Sequence, residues 1–267
     1  DSTLGYPGEG PERLRMATFN VRGLKGKDDD GMTNKMRKLL KWARAHINSL
    51  DVLFIQEHNG DRAKVSEWKA LCERNGYSII HGIHNDTTGS GRGAAALIIK
   101  MSTFNMTEKD SETQPSQGGR IAHKKVLWKD MILNLVSIYV PVNADERRTF
   151  LKQQMFNHRK IPTGSIIGGD FNCVENPRFD VIKENGGANQ NKHAGLMKTV
   201  MRNKQASDIF HKIHGNRARA YTRETSEIRT RLDRIYAKDT NSQLVWHSHK
   251  LDHTYVNYVD SDHIPVV

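Results

Sequence analysis

Cysteine is nearly absent. Cys72 and Cys173 are the only two in 267 residues. A disulfide framework needs more, and no histidines flank either one at the spacing of a zinc site, so neither device holds this fold together. Scarce cysteine suits a reducing compartment, and the nucleus, reached after synthesis in the cytoplasm, is the expected location. Long apolar runs are missing too. No stretch approaches the ~20 residues of a membrane-spanning helix, and no secretory signal shows at the start. There is no internal repeat and no low-complexity tract. Acids are in deficit: 30 Asp and Glu stand against 41 Lys and Arg, for a net charge of +11 and a pI near 9.6. A surplus of that size points to an anionic partner, nucleic acid first and an anionic membrane surface second. No segment carries the aromatic, amphipathic character that membrane insertion needs, so no membrane partner is expected.

What is present reads as one large domain. Residues 1–13, "DSTLGYPGEGPER", form a flexible leader, and 14–267 form the domain, expected to be a piece of a larger polypeptide. Strands are expected at 14–21, 50–57, 77–83 and 93–100, and a hairpin over 121–141 turns at Lys129-Asp130. Further strands are read at 163–169, 219–222, 231–237 and 243–249, with a last one starting near Asp262. Amphipathic helices are expected at 33–48, with Thr33 as N-cap, and at 62–75, 145–158 and 192–205. Strands and helices exchange along the chain, and no linker divides it. That pattern suits two packed sheets with helices outside.

The informative feature is where acids and amides fall. Asn20 ends the first strand, and Glu57 ends the second. Tyr139 lies near the end of another, and Asp170 and Asn172 close "IIGGDFN". Asp233 sits inside "RLDRIY", and Asp262 and His263 follow Ser261 before the last strand. Strand ends on one side of a sheet can converge in a single cleft. A carboxylate such as Glu57, with the amide oxygen of Asn20, offers the hard oxygen ligands that magnesium prefers. An aspartate beside a histidine fixes the ring's tautomer and supports its cationic form, which binds a phosphate oxygen. Another aspartate can orient or deprotonate a water.

These motifs occur in a telling order: "TFNVRGL", "IQE", "IYVP", "GGDFN", "RLDRIY" and "SDH". The chain resembles the endonuclease/exonuclease/phosphatase superfamily, which includes DNase I and the apurinic/apyrimidinic endonucleases. Within it, the chain looks most like the endonuclease domain of a non-LTR retrotransposon. The resemblance implies an α+β fold, a four-layer α/β sandwich of two packed mixed sheets flanked by helices. It implies a magnesium-dependent endonuclease, with manganese as a substitute, that cuts double-stranded DNA to leave a 3′-hydroxyl for target-primed reverse transcription. Other domains of the parent polypeptide, such as a reverse transcriptase, would be partners.

By resemblance Glu57, Asn20 and Asp262 serve the metal. Asp170, Asn172, His263, Asp233 and Tyr139 serve catalysis: Asp170 on the water or leaving group, Asn172 and Tyr139 on the phosphate, and Asp233 orienting His263. Thr222, Arg223, Arg229 and Arg231 belong to a hairpin that reaches into DNA, and Asp208 gives structural support. Arg22 stands where repair endonucleases carry a metal-binding aspartate, and it joins the DNA-binding set. "YVPVN" departs from the family, which often has Asn directly after the proline; Val142 is there instead, and Asn143 is read as structural. The basic stretch 202–231 is expected to track a DNA backbone, with a solvated face as the plain alternative. The loop 87–93, "TTGSGRG", is most simply a turn. Two rival functions remain open: a phosphoesterase on phosphoinositide or sphingolipid headgroups, and a catalytically inert DNA-binding module.

Overall fold

Leu50 to Ile55 shows how the layers arise. Successive side chains of a strand point to opposite faces. Leu53 and Ile55 therefore pack under the helices on one side, while Val52 and Phe54 pack against the second sheet on the other. Buried on both faces, the strand has no polar position until its end.

The computed structural model describes residues 14–24, 34–45, 50–82, 93–105, 115–183, 193–238 and 261–267. Along the chain run β1 (Met16–Asn20), α1 (Asn34–Ala45), β2 (Val52–Gln56), α2 (Arg62–Arg74), β3 (Tyr77–His81) and β4 (Ala95–Lys100). The hairpin β5 (Ile121–Trp128) and β6 (Met131–Tyr139) follows, then α3 (Ala144–Phe150), a π-helical turn (Leu151–Met155), β7 (Ile166–Asp170) and β8 (Val181–Lys183). The chain continues through α4 (Ala194–Asn203), β9 (Ala206–Asp208), α5 (Ile209–His214), β10 (Arg223–Glu224), β11 (Ile228–Thr230) and β12 (Asp233–Lys238).

One sheet has the order β1-β2-β4-β3 and the other β5-β6-β7-β12-β9; both are mixed. Their facing surfaces share one core, with Val52, Phe54, Leu97 and Ile99 against Val126, Leu135, Ile166 and Ile235. Met36, Leu39, Trp68 and Cys72 bring α1 and α2 onto the outside of the first sheet. Phe150, Leu151, Met197 and Val200 cover the outside of the second. This is the expected four-layer α+β sandwich. A small third sheet, β10-β11-β8, stands beside it.

The glycine pair of "IIGGD" has a packing reason. A Cβ on Gly168 would lie 2.4 Å from the Phe54 ring of the opposite sheet. A Cβ on Gly169 would lie 2.2 Å from the carbonyl oxygen of Ile138 on the adjacent strand. Bare backbone here lets β7 seat between its neighbours and bring Asp170 to the sheet edge.

Several expectations shift. The helix read as 145–158 ends at Phe150 and continues as the π turn, then as bends. Residues 219–222 are not a strand; the pairing begins at Arg223. The short elements β8, β9 and α5 went unread, because three to six residues carry too little periodicity. The expected last strand makes only isolated bridges, Arg223 to His263 and Thr18 to Val266. The leader, Thr33, the strand 243–249 and most of the loop 87–93 lie outside the described residues. No helix among those described is long and apolar enough to cross a membrane.

Candidate active site

Strand register brings the polar ends together. β1 and β2 run parallel with Asn20 opposite Gln56, which puts Asn20 beside Glu57. β6 and β7 run parallel with Tyr139 opposite Asp170, and antiparallel β12 sets Asp233 opposite Asp170. The segment 261–267 is tied across both sheets. Ser261 Oγ donates to the carbonyl of Asn20 at 2.6 Å, and Val266 pairs with Thr18. His263 is thereby lowered onto the two aspartates.

Contacts within the group are short. His263 Nδ1 donates to Asp233 Oδ2 at 2.7 Å, and its Nε2 lies 3.9 Å from Asp170 Oδ2. The Asn20 amide nitrogen donates both protons, to Glu57 Oε1 at 2.8 Å and to Asp170 Oδ2 at 2.9 Å. Asp170 Oδ1 accepts from the Asn172 backbone N–H at 2.8 Å. Asn20, Asp170, Asp233 and His263 are all buried, whereas Glu57 and Asn172 are partly exposed at the mouth. Three non-glycine residues at these strand ends hold left-handed backbone: Arg22 (φ 45°), Glu57 (φ 55°) and Asn172 (φ 43°). Such backbone is uncommon outside glycine and collects at functional sites.

Electrostatics divide the group into an acid and a base. Burial opposes charge on His263, but Asp233, Asp170 and Asp262 overcome it and raise its pKa from 6.5 to about 9. Burial and the neighbouring Asp233 push Asp170 up to about 6, against the pull of His263 and the hydrogen bonds from Asn172 and Asn20. Two groups pushed apart in this way are the mark of assigned acid–base roles. Burial and the adjacent Glu57 raise the Tyr139 hydroxyl far above its usual range, so it remains a donor.

The dyad can be tested in the metal-free protein. Replacing Asp233 by Asn removes the largest group favouring the imidazolium. The NMR titration midpoint of His263, assigned among 13 histidines by its loss in His263→Ala, is then expected to fall from about 9. An unmoved midpoint would refute the pairing. In linkage terms, the His263 contribution to stability is complete below about pH 6.5 and fades as pH rises through about 9.

Other expected site residues fall differently. Thr222 is fully buried; its hydroxyl accepts from the N–H groups of Leu232 and Asp233, both at 3.0 Å, and its carbonyl accepts from Ile264. It positions the dyad and is not exposed to DNA. Arg231 is 2% exposed, donates to Asp208 at 2.6 Å and faces Asp180, so its charge is spent inside the protein. Lys204, also in the basic stretch, is buried and donates to the carbonyls of Phe156 and Ile161. The 202–231 track is therefore not one continuous cationic face.

Asp262 is held in ionised form despite burial, by the Arg223 hydrogen bond at 3.0 Å, by His263, and by Arg22 at 3.7 Å. A carboxylate matched by three cations is a poor ligand for a fourth, which argues against the metal role expected of it. Asn20 turns its nitrogen to the carboxylates, and its oxygen caps the N–H of Arg22 at 3.0 Å. It aligns Glu57 rather than offering its own oxygen. Arg22 and Arg223 meet Asp262 with side chains still partly exposed, Arg229 is exposed beside Glu224, and Arg223 and Arg229 sit on the β10–β11 hairpin. Asn143 caps α3, accepting from Asp145 and Glu146.

Arg120 was missed. Its guanidinium lies 5.1 Å from the Tyr139 ring centre, lines the same cleft as Glu57, Gly93 and Val142, and has a buried nitrogen with no partner among the described residues. The available signal was "GGR" opening β5 at the edge where Tyr139 ends β6, since the Tyr139 N–H donates to the Arg120 carbonyl.

The sequence profile of the Endonuclease/Exonuclease/phosphatase family matches residues 17–263. The chain belongs to this family. No curated protein sequence matches it. Solved structures of the same fold include an AP endonuclease from Archaeoglobus fulgidus, at 18% identity and TM-score 0.70 over 95% of this chain and 98% of that one. The AP endonuclease LMAP from Leishmania major aligns at 17% identity and TM-score 0.68, over 95% and 86%. The endonuclease domain of TRAS1, a telomere-specific non-LTR retrotransposon, aligns at 14% identity and TM-score 0.61, over 95% and 96%. At these identities the likeness is one of fold. The family match spans the strand-end cluster from Asn20 to His263.

Proposed function

We propose that the protein is a magnesium-dependent DNA endonuclease that nicks double-stranded target DNA for insertion of a non-LTR element. The single observation that carries this reading is Asp170 set 3.9 Å from a His263 whose other ring nitrogen is held by Asp233. The fold similarity to TRAS1 and the net charge of +11 support the substrate. Nuclear localisation and a partnership with a reverse-transcriptase domain belong to the same proposal.

The donor set fits a hard divalent ion. Glu57 is a carboxylate at the mouth, aligned by Asn20 and facing the cleft; neither cysteine is at the site, since Cys72 and Cys173 pack in the apolar cores outside the two sheets. Oxygen donors without sulfur suit magnesium or manganese and not a structural zinc. Asp170, Asp233 and His263 also lie within 4.8 Å of one another, but a cation there would first have to displace the His263 proton. Glu57 is the residue that would hold the ion, which when bound supplies charge stabilisation to a phosphoryl oxygen.

The chain's own residues do the rest. His263 presents a charged N–H to a non-bridging phosphate oxygen. Asp170, ionised above about pH 6, takes the proton of the attacking water. The water oxygen bonds to phosphorus as the bond to the 3′-oxygen breaks, and that oxygen departs as an alkoxide and takes a proton from solvent to become the 3′-hydroxyl. Asn172 donates one amide proton to the Val140 carbonyl at 2.8 Å and has the other for the phosphate. Tyr139 holds Glu57 in place by donating to it.

Supercoiled plasmid is the test. Nicks are expected with magnesium and not with chelator, and the new ends should be extended by a polymerase without prior phosphatase treatment. Nicks that resist extension, or nicking that continues in chelator, would overturn the reading. Release of phosphate from a phosphoinositide at a comparable rate would favour the lipid alternative.

A further inference from the structure

Helix α1 carries an unused cationic face. Its sequence, "NKMRKLLKWARA", holds five basic residues and no acid. Met36, Leu39, Leu40, Trp42 and Ala43 are buried against the first sheet, which leaves Arg37, Lys38, Lys41 and Arg44 exposed. Arg37, Lys41 and Arg44 line a shallow groove together with Leu40, Ala45 and, from the end of α2, Asn75, whose side-chain oxygen accepts from Arg44 at 2.9 Å. The adjacent helix differs. Helix α2 mixes Glu67 and Glu73 with its lysines and arginines, and Lys64 pairs with Glu67 at 3.1 Å. A solvated surface helix ordinarily interleaves both signs, as α2 does.

Topology separates this face from the cleft. β1 and β2 are parallel and both end at the active-site edge, so α1, which joins them, runs back toward the opposite edge. The Leu50 N–H donates to the Ala43 carbonyl, which fixes the end of α1 beside the start of β2. Twelve helical residues cover ~18 Å. A straight duplex seated at the strand ends does not also lie along this face.

We propose that the α1 groove binds the phosphate backbone of a second DNA duplex segment, apart from the one being cut. Arg37 to Arg44 spans ~10 Å of helix axis, the length of about three successive phosphates at ~3.4 Å per strand. Among the described residues no exposed aromatic lines the groove, because Trp42 is buried. The described lining offers charge without a stacking platform, which favours a backbone-reading mode over the gripping of single strands. The choice of DNA rests on the nuclease reading above; the cationic groove itself does not.

The test is the triple variant Arg37→Gln, Lys41→Gln, Arg44→Gln in otherwise intact protein. Binding is measured in chelator, so that nothing is cut, by fluorescence anisotropy on a long duplex across a salt series. The salt slope is expected to become shallower by roughly 2 to 3, with about tenfold weaker binding at low salt. Nicking of a duplex just long enough to fill the cleft is expected at the parental rate, with an unchanged melting temperature. An unchanged salt slope would overturn the proposal, as would an equal loss of cleavage on the short duplex. A larger loss of binding to single-stranded DNA, duplex RNA or phosphatidylserine vesicles than to duplex DNA would overturn the choice of occupant. If the parent binds duplex through this face and yet never cuts, the catalytic reading fails and the groove assignment survives.

Discussion

Replacing Asp170 by Asn lowers the rate of plasmid nicking by about a thousandfold, inside the ~10²–10⁴ range supplied by a positioned general base. The amide keeps the shape of the side chain and can still accept from the Asn172 N–H, now made at 2.8 Å. What it lacks is the pair of electrons that takes the proton of the water. The same substitution changes stability little, because the amide gives up the hydrogen bond that Asn20 donates to Oδ2 at 2.9 Å and in return removes a buried charge. The folded pKa of Asp170 lies above 3.8, at about 6. The buried carboxylate therefore costs stability above about pH 6, and the cost is relieved as pH falls toward 4. A neutral isostere removes that cost. Activity falls steeply while stability barely moves, as expected of a group held for chemistry. Nicking assays beside urea titrations at pH 7.5 check both halves. A variant that cuts at the parental rate, or one that is strongly destabilised, would remove Asp170 from the mechanism.

Asp180→Ala is expected to cost about 3–5 kcal/mol, the usual loss when one member of a buried ion network is removed. Asp180 is fully buried between Arg234 at 3.2 Å and Arg231 at 3.6 Å, and both guanidiniums are buried as well. Its removal leaves Asp208, on Arg231 at 2.6 Å, to offset two charges. Arg234 also donates to the Cys173 carbonyl at 2.7 Å and to the Arg231 carbonyl at 2.8 Å, so it clips the chain after Asn172 to the strand that carries Asp233. Nicking should fall along with stability. Burial opposes charge on Asp180, but Arg234 and Arg231 outweigh it and hold its pKa below 3.8. The stabilisation is thus complete above about pH 4 and is lost only as pH falls further. Urea unfolding at pH 7 is the measurement, and a loss under about 1 kcal/mol would show that the network contributes little.

The network also shows why sequence reading went astray in the basic stretch. From order alone, Arg223, Arg229, Arg231 and Lys204 are four equivalent cations. Burial separates them: Arg223 and Arg229 point outward from the hairpin, while Arg231 and Lys204 satisfy interior acceptors. Charge is visible in a sequence, and its partner is not. Asp262 illustrates the same limit, since Arg22 and Arg223 meet it from positions 240 residues before and 39 before, and change it from a free ligand to a matched anion. Arg120 was passed over for the converse reason. Its only local signal is "GGR" before β5, and it gains meaning from the Tyr139 ring beside it.

The sequence by itself determined the strands that end in polar residues, because runs of four mostly apolar residues leading to Asn20, to Gln56 and Glu57, and to Asp170 bury both faces of a strand and leave the polar groups at its end. The same pattern settled the order of the site motifs and the sandwich class. Only the tertiary structure decided that His263 donates to Asp233 and stands 3.9 Å from Asp170, and which cations stay at the surface and which are buried. Those facts depend on strand register and on a tail that crosses both sheets. The site is held together by contacts between residues up to 248 positions apart, such as Val266 with Thr18, and no local pattern in the chain records them.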